Sequence, residues 1–320
     1  MRRLLQPPRF TATLHSADVL VLGFALLLTA VNLAFASRIP RWSSLVVINL
    51  GACAFVFTLA AARHFSSSRV IRVVHDWYVA PAVFFSFKEL YYVIPHLHGG
   101  RDYDDLLIAA DRWLFGVNPT EWLLRFGHPV LTEVLQVAYT SFYLLFLLLG
   151  WELYRRRRPG EFHLFMFTCV YGFFLSYLGY FVLPAVGPRF TLHDFNALDT
   201  DLPGVLLTPY LRWFVNAGGS VPMGVSNEAA LAGTQRDVFP SGHTMMTLVL
   251  MYMGAHFRTR SRHVLYAVGA LLIVATVYQR YHYVVDLAAG ALFMVFCVRT
   301  SPRLYAAVTR SLGTLESRFP

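Results

Sequence analysis

Eight apolar runs dominate this 320-residue chain, at roughly 18–36, 44–62, 75–95, 130–150, 162–183, 240–257, 264–280 and 282–299. Each is long enough, or nearly so, to cross a hydrocarbon layer of about 30 Å as a helix. The fold expected from them is all-α, a polytopic membrane helical bundle. Composition agrees: 56% of residues are hydrophobic and only 14% charged, which lies far from the soluble globular norm.

The formal charge of +9 is almost entirely arginine, since Lys88 is the only lysine. In a membrane protein such arginines orient loops before they bind anything acidic, so nucleic acid is not the expected partner. The segments before the first run, after the second, fourth and sixth, and after the eighth hold Arg2, Arg3, Arg9, Arg63, Arg69, Arg72, the run 155–158, Arg258, Arg260, Arg262, Arg299, Arg303, Arg310 and Arg318. The opposite loops hold most of the acids, among them Asp102, Asp104, Asp105, Asp111, Asp194, Asp199, Asp201 and Asp237. The positive-inside rule then predicts cytoplasmic termini. The N-terminal stretch has a basic start but lacks the short apolar core and cleavage site of a removable signal, so the first run reads as a permanent span. Cys53, Cys169 and Cys297 fall in separate apolar runs and imply neither a disulfide framework nor a zinc site.

Two segments on the outer side are not spans. In 102–126, Leu106, Leu107, Ala110, Trp113 and Leu114 recur at helical spacing among charges, which suits a helix lying at the interface or an ordinary amphipathic loop helix. The connection 184–239, rich in Gly, Pro and Asn, reads as a binding loop or lid, or as plain linkage.

Chemistry concentrates at two places. In "DVFPSGHT", Pro240, Ser241 and Gly242 open the sixth run and His243 follows in its first turn. Ser is a good N-cap, and the free N–H groups of such a turn, with the helix dipole, favour an anion. Alone, this supports only a cap. In "YQRYHYVVDL", His282 and Asp286 are four apart and share a helical face. A carboxylate bonded to one imidazole nitrogen would fix the tautomer and free the other nitrogen as nucleophile or base; a buried structural pair is the alternative. From His243 the chain crosses inward, turns at 258–263 and crosses back, so His282 is predicted to return to the face on which His243 began. Two histidines, an orienting Asp and a helix N-terminus on one face fit phosphoryl transfer, one imidazole attacking phosphorus and the other protonating the leaving oxygen.

Such a reaction needs fixed positive charge at the phosphoryl oxygens. Arg189 in "LPAVGPRF" and Arg280, two residues before His282, stand on the same face and would bind phosphate or anchor at the interface. Lys88 beside Glu89 is open to three readings: a functional charge, a snorkelling side chain, or a partner of Glu89. His96, His98 and Asp102 have a spacing that a metal could use, but without a defined ligand set they read as loop residues, and no metal site is expected.

"FPSGHT" followed by "RYHYVVDLAAG" resembles the second and third motifs of the type-2 phosphatidic acid phosphatase superfamily, which also contains vanadium haloperoxidases. The resemblance covers roughly residues 70–300. It implies a six-helix phosphatase core, here 73–300 with outer loops 96–129 and 184–239, preceded by a tail and two extra transmembrane helices (1–72) and followed by a cytoplasmic tail (301–320). It also implies His282 as the nucleophile forming a phosphohistidine, Asp286 orienting it, and His243 as general acid and then base, with Ser241, Gly242, Arg189, Arg280 and Lys88 as candidate phosphate ligands. The usual third motif carries a Ser-Arg pair upstream of its His, where this chain has Ala275 and Thr276, and the usual first motif is not present in its common form. "DRWLFGVNP", "LPAVGPR" and the short His-Tyr-x-x-Asp motif instead look like the branch that contains inositol phosphorylceramide synthases. The expectation is a membrane-embedded lipid phosphatase or head-group phosphotransferase with its site at the extracytoplasmic face, needing no cofactor. Its partners would be the bilayer and a phospholipid, lipid phosphate or prenyl diphosphate. A vanadate-dependent haloperoxidase-like enzyme and a non-enzymatic lipid-binding protein are the alternatives.

Overall fold

The computed structural model describes residues 13–222 and 224–313. Arg2, Arg3, Arg9 and Arg318 of the charge pattern lie outside the described residues. Within them the chain is helical, without strands: α1 (Ser16–Ala34), α2 (Trp42–Phe65), α3 (Arg69–Trp77), α4 (Val79–Leu97), α5 (Asp104–Phe115), α6 (Pro119–Leu123), α7 (Pro129–Thr140), α8 (Phe142–Arg155), α9 (Pro159–Val182), α10 (Pro188–Thr191), α11 (Leu198–Asp201), α12 (Thr208–Gly218), α13 (Asn227–Gly233), α14 (Gly242–His256), α15 (Arg262–Tyr278) and α16 (Val284–Leu312).

All eight apolar runs form helices, but not all of them are membrane-length. Ser16–Ala34, Trp42–Phe65, Arg69–Leu97 (α3 with α4), Pro159–Val182 and Val284–Leu312 are long and apolar enough to span. The fourth run is a pair, α7 and α8, bent by 49° at Ser141. There the hydroxyl folds back to donate to the Ala138 carbonyl at 2.7 Å, the kind of local bond that competes with the helical ladder. The sixth and seventh runs are among those that fall only nearly at membrane length: α14 has 15 residues and α15 has 17, which is roughly 22 and 25 Å at the helical rise. Ser241 is the N-cap of α14, as the sequence predicts, and Pro240 precedes it. The segment from 301, expected as a tail, continues α16 through Leu312. The connection 184–239 is folded, carrying α10 to α13.

The chain packs as two compact units. Of the described residues, the first takes 13–89, 153–174 and 297–313. Polar side chains tie its helices together. Asp18 accepts bonds from the His15 amide (2.7 Å) and the Tyr78 hydroxyl (2.6 Å) and lies 2.9 Å from His75 Nε2, while Glu89 Oε1 accepts from Asn32 and Asn49 at 2.8 Å each. Such contacts hold helices together in lipid, where apolar surface gives them no preference for one another. Lys88, a candidate phosphate ligand, belongs to this unit, and its Nζ stands 5.8 Å from the centre of the Phe84 ring.

The second unit comprises 90–152 and 175–296. In it α7 packs on α12 and α15, and α14 on α15. Leu135, Tyr139, Leu198, Leu202, Ala275, Tyr278 and Tyr281 form one buried cluster, and Leu107, Ala185, Val238 and Tyr283 another. These two clusters flank the segment that carries His282.

Candidate active site

Three helix starts converge in the second unit. Ser241 caps α14, its Oγ accepting the Thr244 amide at 3.2 Å, and its own amide donates to the Asp286 carbonyl at 3.0 Å. The start of α14 is thereby tied to the first turn of α16. At the facing position stands Gly290, where a Cβ would come within 2.7 Å of the Ser241 carbonyl oxygen. Only a glycine admits that approach.

The start of α16 is held from α5. Asp111 accepts the amides of Val284 and Val285 at 2.9 and 2.8 Å, supplying an anion to N–H groups that have no partner within the helix. Asp286, three residues into the turn, accepts the Tyr283 amide at 2.9 Å, half of a capping box. About two helical turns earlier on α5, Asp104 accepts the amides of Val186 and Gly187 at 3.0 and 2.8 Å and the Tyr283 hydroxyl at 2.8 Å. That fixes the turn leading into Arg189, in which Gly187 adopts φ 95°. Burial pushes the carboxyls of Asp104 and Asp111 up from the ordinary range, and the backbone amides they accept pull them back down. In the sequence both acids mark an outer loop and Asp111 also opens "DRWLFGVNP", but neither is assigned a role at the histidines.

His243 and His282 face each other, their ring centres 5.7 Å apart. The expected bond from Asp286 to His282 needs correction. His282 Nδ1 lies 3.0 Å from the Val238 carbonyl and 3.4 Å from Asp286 Oδ2. A carbonyl can only accept, so Nδ1 carries the proton and Nε2 keeps its lone pair. The tautomer is set by backbone, with Asp286 as a second, longer contact. His243 lies against Tyr139 (4.7 Å between ring centres) and Phe142 (4.6 Å), one from each side of the α7–α8 bend. Tyr139 stacks in turn on Tyr281 at 4.3 Å.

Arg189 completes this wall. Its guanidinium lies 5.1 Å from the Tyr281 ring centre, Nη1 donates to Asn216 Oδ1 at 2.9 Å, and its charge reaches both imidazoles. Arg280 is placed differently. It is fully buried, with φ 63°, and its Nη2 donates to Asp201 at 2.8 Å, while its backbone carbonyl accepts the Arg189 amide at 3.0 Å. Its Nε and Nη1 have no hydrogen-bond partner among the described residues. Of the two arginines, then, Arg189 is brought to the histidine pair and Arg280 braces the turn beneath it. Sequence reasoning gave no role to Tyr139 and Asn216, which lie outside the quoted motifs, nor to Tyr281 and the Val238 carbonyl, which lie inside them. It also missed Asp237, whose charge acts on His282 and Tyr139 and whose only signal was adjacency to "FPSGH". The loop residues His96, His98 and Asp102 are taken up singly: His96 by the Tyr92 carbonyl, His98 by the Phe181 carbonyl and Asp102 by Arg236.

A nitrogen nucleophile, a second imidazole able to move a proton, and a guanidinium on one aromatic wall can together bind an anion and exchange its ester oxygen. A family profile described as the PAP2 superfamily matches residues 105–299. No curated protein and no solved structure matches the chain.

Proposed function

We propose, on the premise that this chain belongs to the type-2 phosphatidic acid phosphatase superfamily, that it is a lipid phosphatase or head-group phosphotransferase acting through His282. The superfamily comprises phosphatases and phosphotransferases, and the apolar helices make this member an integral membrane protein. The observation that carries the reading is the facing pair, with Nδ1 of His282 committed to Val238 and Nε2 left to react.

The steps follow from that pairing. His282 Nε2 attacks phosphorus and forms a phosphohistidine, the P–O bond to the leaving lipid oxygen breaks, and His243 gives that oxygen a proton. Neutral His243 then takes a proton from the acceptor, whose oxygen attacks the phosphohistidine and releases His282. Arg189 carries the charge of the phosphoryl oxygens through both steps. With water as acceptor the product is free phosphate. With a lipid hydroxyl it is a new phospholipid, the outcome expected of an inositol phosphorylceramide synthase-like member. The excess of arginine in the opposite loops supports a site at the extracytoplasmic face and cytoplasmic termini.

The test uses purified protein with phosphatidic acid, a polyprenyl diphosphate, or phosphatidylinositol plus ceramide, reading both free phosphate and new phospholipid. Wild type should turn over at least one of these. His282→Ala should lower the rate by about a thousandfold or more, and His243→Ala by about a hundredfold or more. Activity that survives His282→Ala would sink the mechanism.

A further inference from the structure

Helix α12 is inside out. Its inward positions are polar, with Thr208, Arg212 and Asn216, each four residues from the next, only 0%, 2% and 4% exposed. Its outward positions are large and apolar: Tyr210, Trp213 and Phe214 are 72%, 60% and 55% exposed. A helix at a water-facing surface shows the reverse arrangement. Lipid reverses the preference, and Trp and Tyr are the residue types that settle at its interface.

The buried stripe has a partner at every step. Thr208 Oγ donates to Glu133 of α7 at 2.7 Å, and the same carboxylate accepts the amides of Val205 and Leu206 ahead of the helix. Arg212 Nη1 pairs with Asp199, and its Nη2 donates to the Leu202 carbonyl at 2.8 Å and to Gln279 Oε1 at 2.9 Å. Asn216 accepts from Arg189. The helix that α12 lies along, α7, is the first half of the bent fourth run and exposes Val130, Val134 and Val137. The apolar face of α12 therefore adjoins a surface already made for lipid.

We propose that α12 is seated in the membrane interface, with Tyr210, Trp213 and Phe214 in lipid, and that through Asn216 this seating holds Arg189 in place for a substrate phosphate. The second half rests on the role given to Arg189 above; the first half does not. Asn216 is a positioning residue, and α12 makes phosphate recognition depend on contact with the bilayer.

Two measurements on the full chain in vesicles test it. First, Phe214→Cys in a Cys53→Ser background, labelled with an environment-sensitive fluorophore, should be quenched by lipids carrying a nitroxide high on the acyl chain and not by aqueous iodide. Quenching by iodide alone, or cross-linking between two copies through this position, overturns the seating. Second, Tyr210→Ser/Trp213→Ser/Phe214→Ser, which no longer holds the apolar face in lipid, should raise KM by about tenfold for phosphatidic acid in vesicles and for p-nitrophenyl phosphate alike, with a smaller change in kcat. Asn216→Ala should raise KM for both substrates by about tenfold, the loss of one hydrogen bond to a charged group, with a smaller change in kcat. An unmoved KM, or a triple variant that loses only the lipid substrate, overturns the coupling. If His282→Ala left activity intact, the reading of the site would fail, yet the quenching result would stand.

Discussion

His282 has its proton placed by a carbonyl and not by a carboxylate. Because Val238 already holds Nδ1–H at 3.0 Å, Asp286→Asn should keep the tautomer and lose only the charge that steadies an imidazolium-like transition state. The expected loss in kcat is about ten- to a hundredfold, well short of that for His282→Ala; equal losses in the two variants would show that Asp286 alone orients the ring. His193 offers a pH test outside the spans. Burial, then the nearby positive charge of Arg280, lowers its pKa from 6.5 to about 4, and its Nε2 lies 3.0 Å from Thr120 Oγ. A depressed pKa contributes stability that is present above 6.5 and is lost as pH falls through about 4. Thermal unfolding followed from pH 7 downward should therefore weaken across that window, and less steeply in His193→Gln. At this scale the histidines and Asp286 were legible because their chemistry demands those residue types at those spacings. The Val238 carbonyl and Asn216 were not, since any residue supplies a carbonyl and only tertiary packing decides which amide faces an arginine.

At the scale of elements, the site is a meeting of helix starts, and its tolerance is set by how closely they approach. Gly290→Ala would put a Cβ within 2.7 Å of the Ser241 carbonyl. The start of α16 must then move away from α14, at a cost of about 1–3 kcal/mol, and with it His282 from His243. A lowered melting temperature together with lowered kcat is expected; an unchanged kcat would show that the approach is not needed for chemistry. Apolar periodicity revealed every long helix, since in lipid almost every residue of a span is apolar and the pattern is hard to miss. The Ser241 cap was legible as well, but the sixth run is counted from Pro240, two residues ahead of the helix, which makes α14 look longer than its 15 residues. The connection 184–239 hid α12 for a related reason: a helix whose polar stripe faces inward looks like an unpatterned loop when the outside is assumed to be water.

For the whole molecule, the arginine distribution makes a prediction about sidedness. A cysteine introduced at Arg156, between α8 and α9, should react with a membrane-impermeant maleimide only from the cytoplasmic side, and one at Asn227 only from the opposite side; the reverse pattern would invert the protein and its site. The 49° bend between α7 and α8 then has a consequence for the bilayer. Tyr139 and Phe142 grip His243 from the two arms of that bend, so the grip belongs to one particular angle. A helix pair in a membrane answers changes in thickness by tilting or straightening. Vesicles of progressively longer acyl chains should open the angle, loosen the proton-carrying imidazole and slow turnover with no change in the substrate at all. Such a slowing would make the kink a gauge through which the thickness of the surrounding membrane sets the pace of the chemistry.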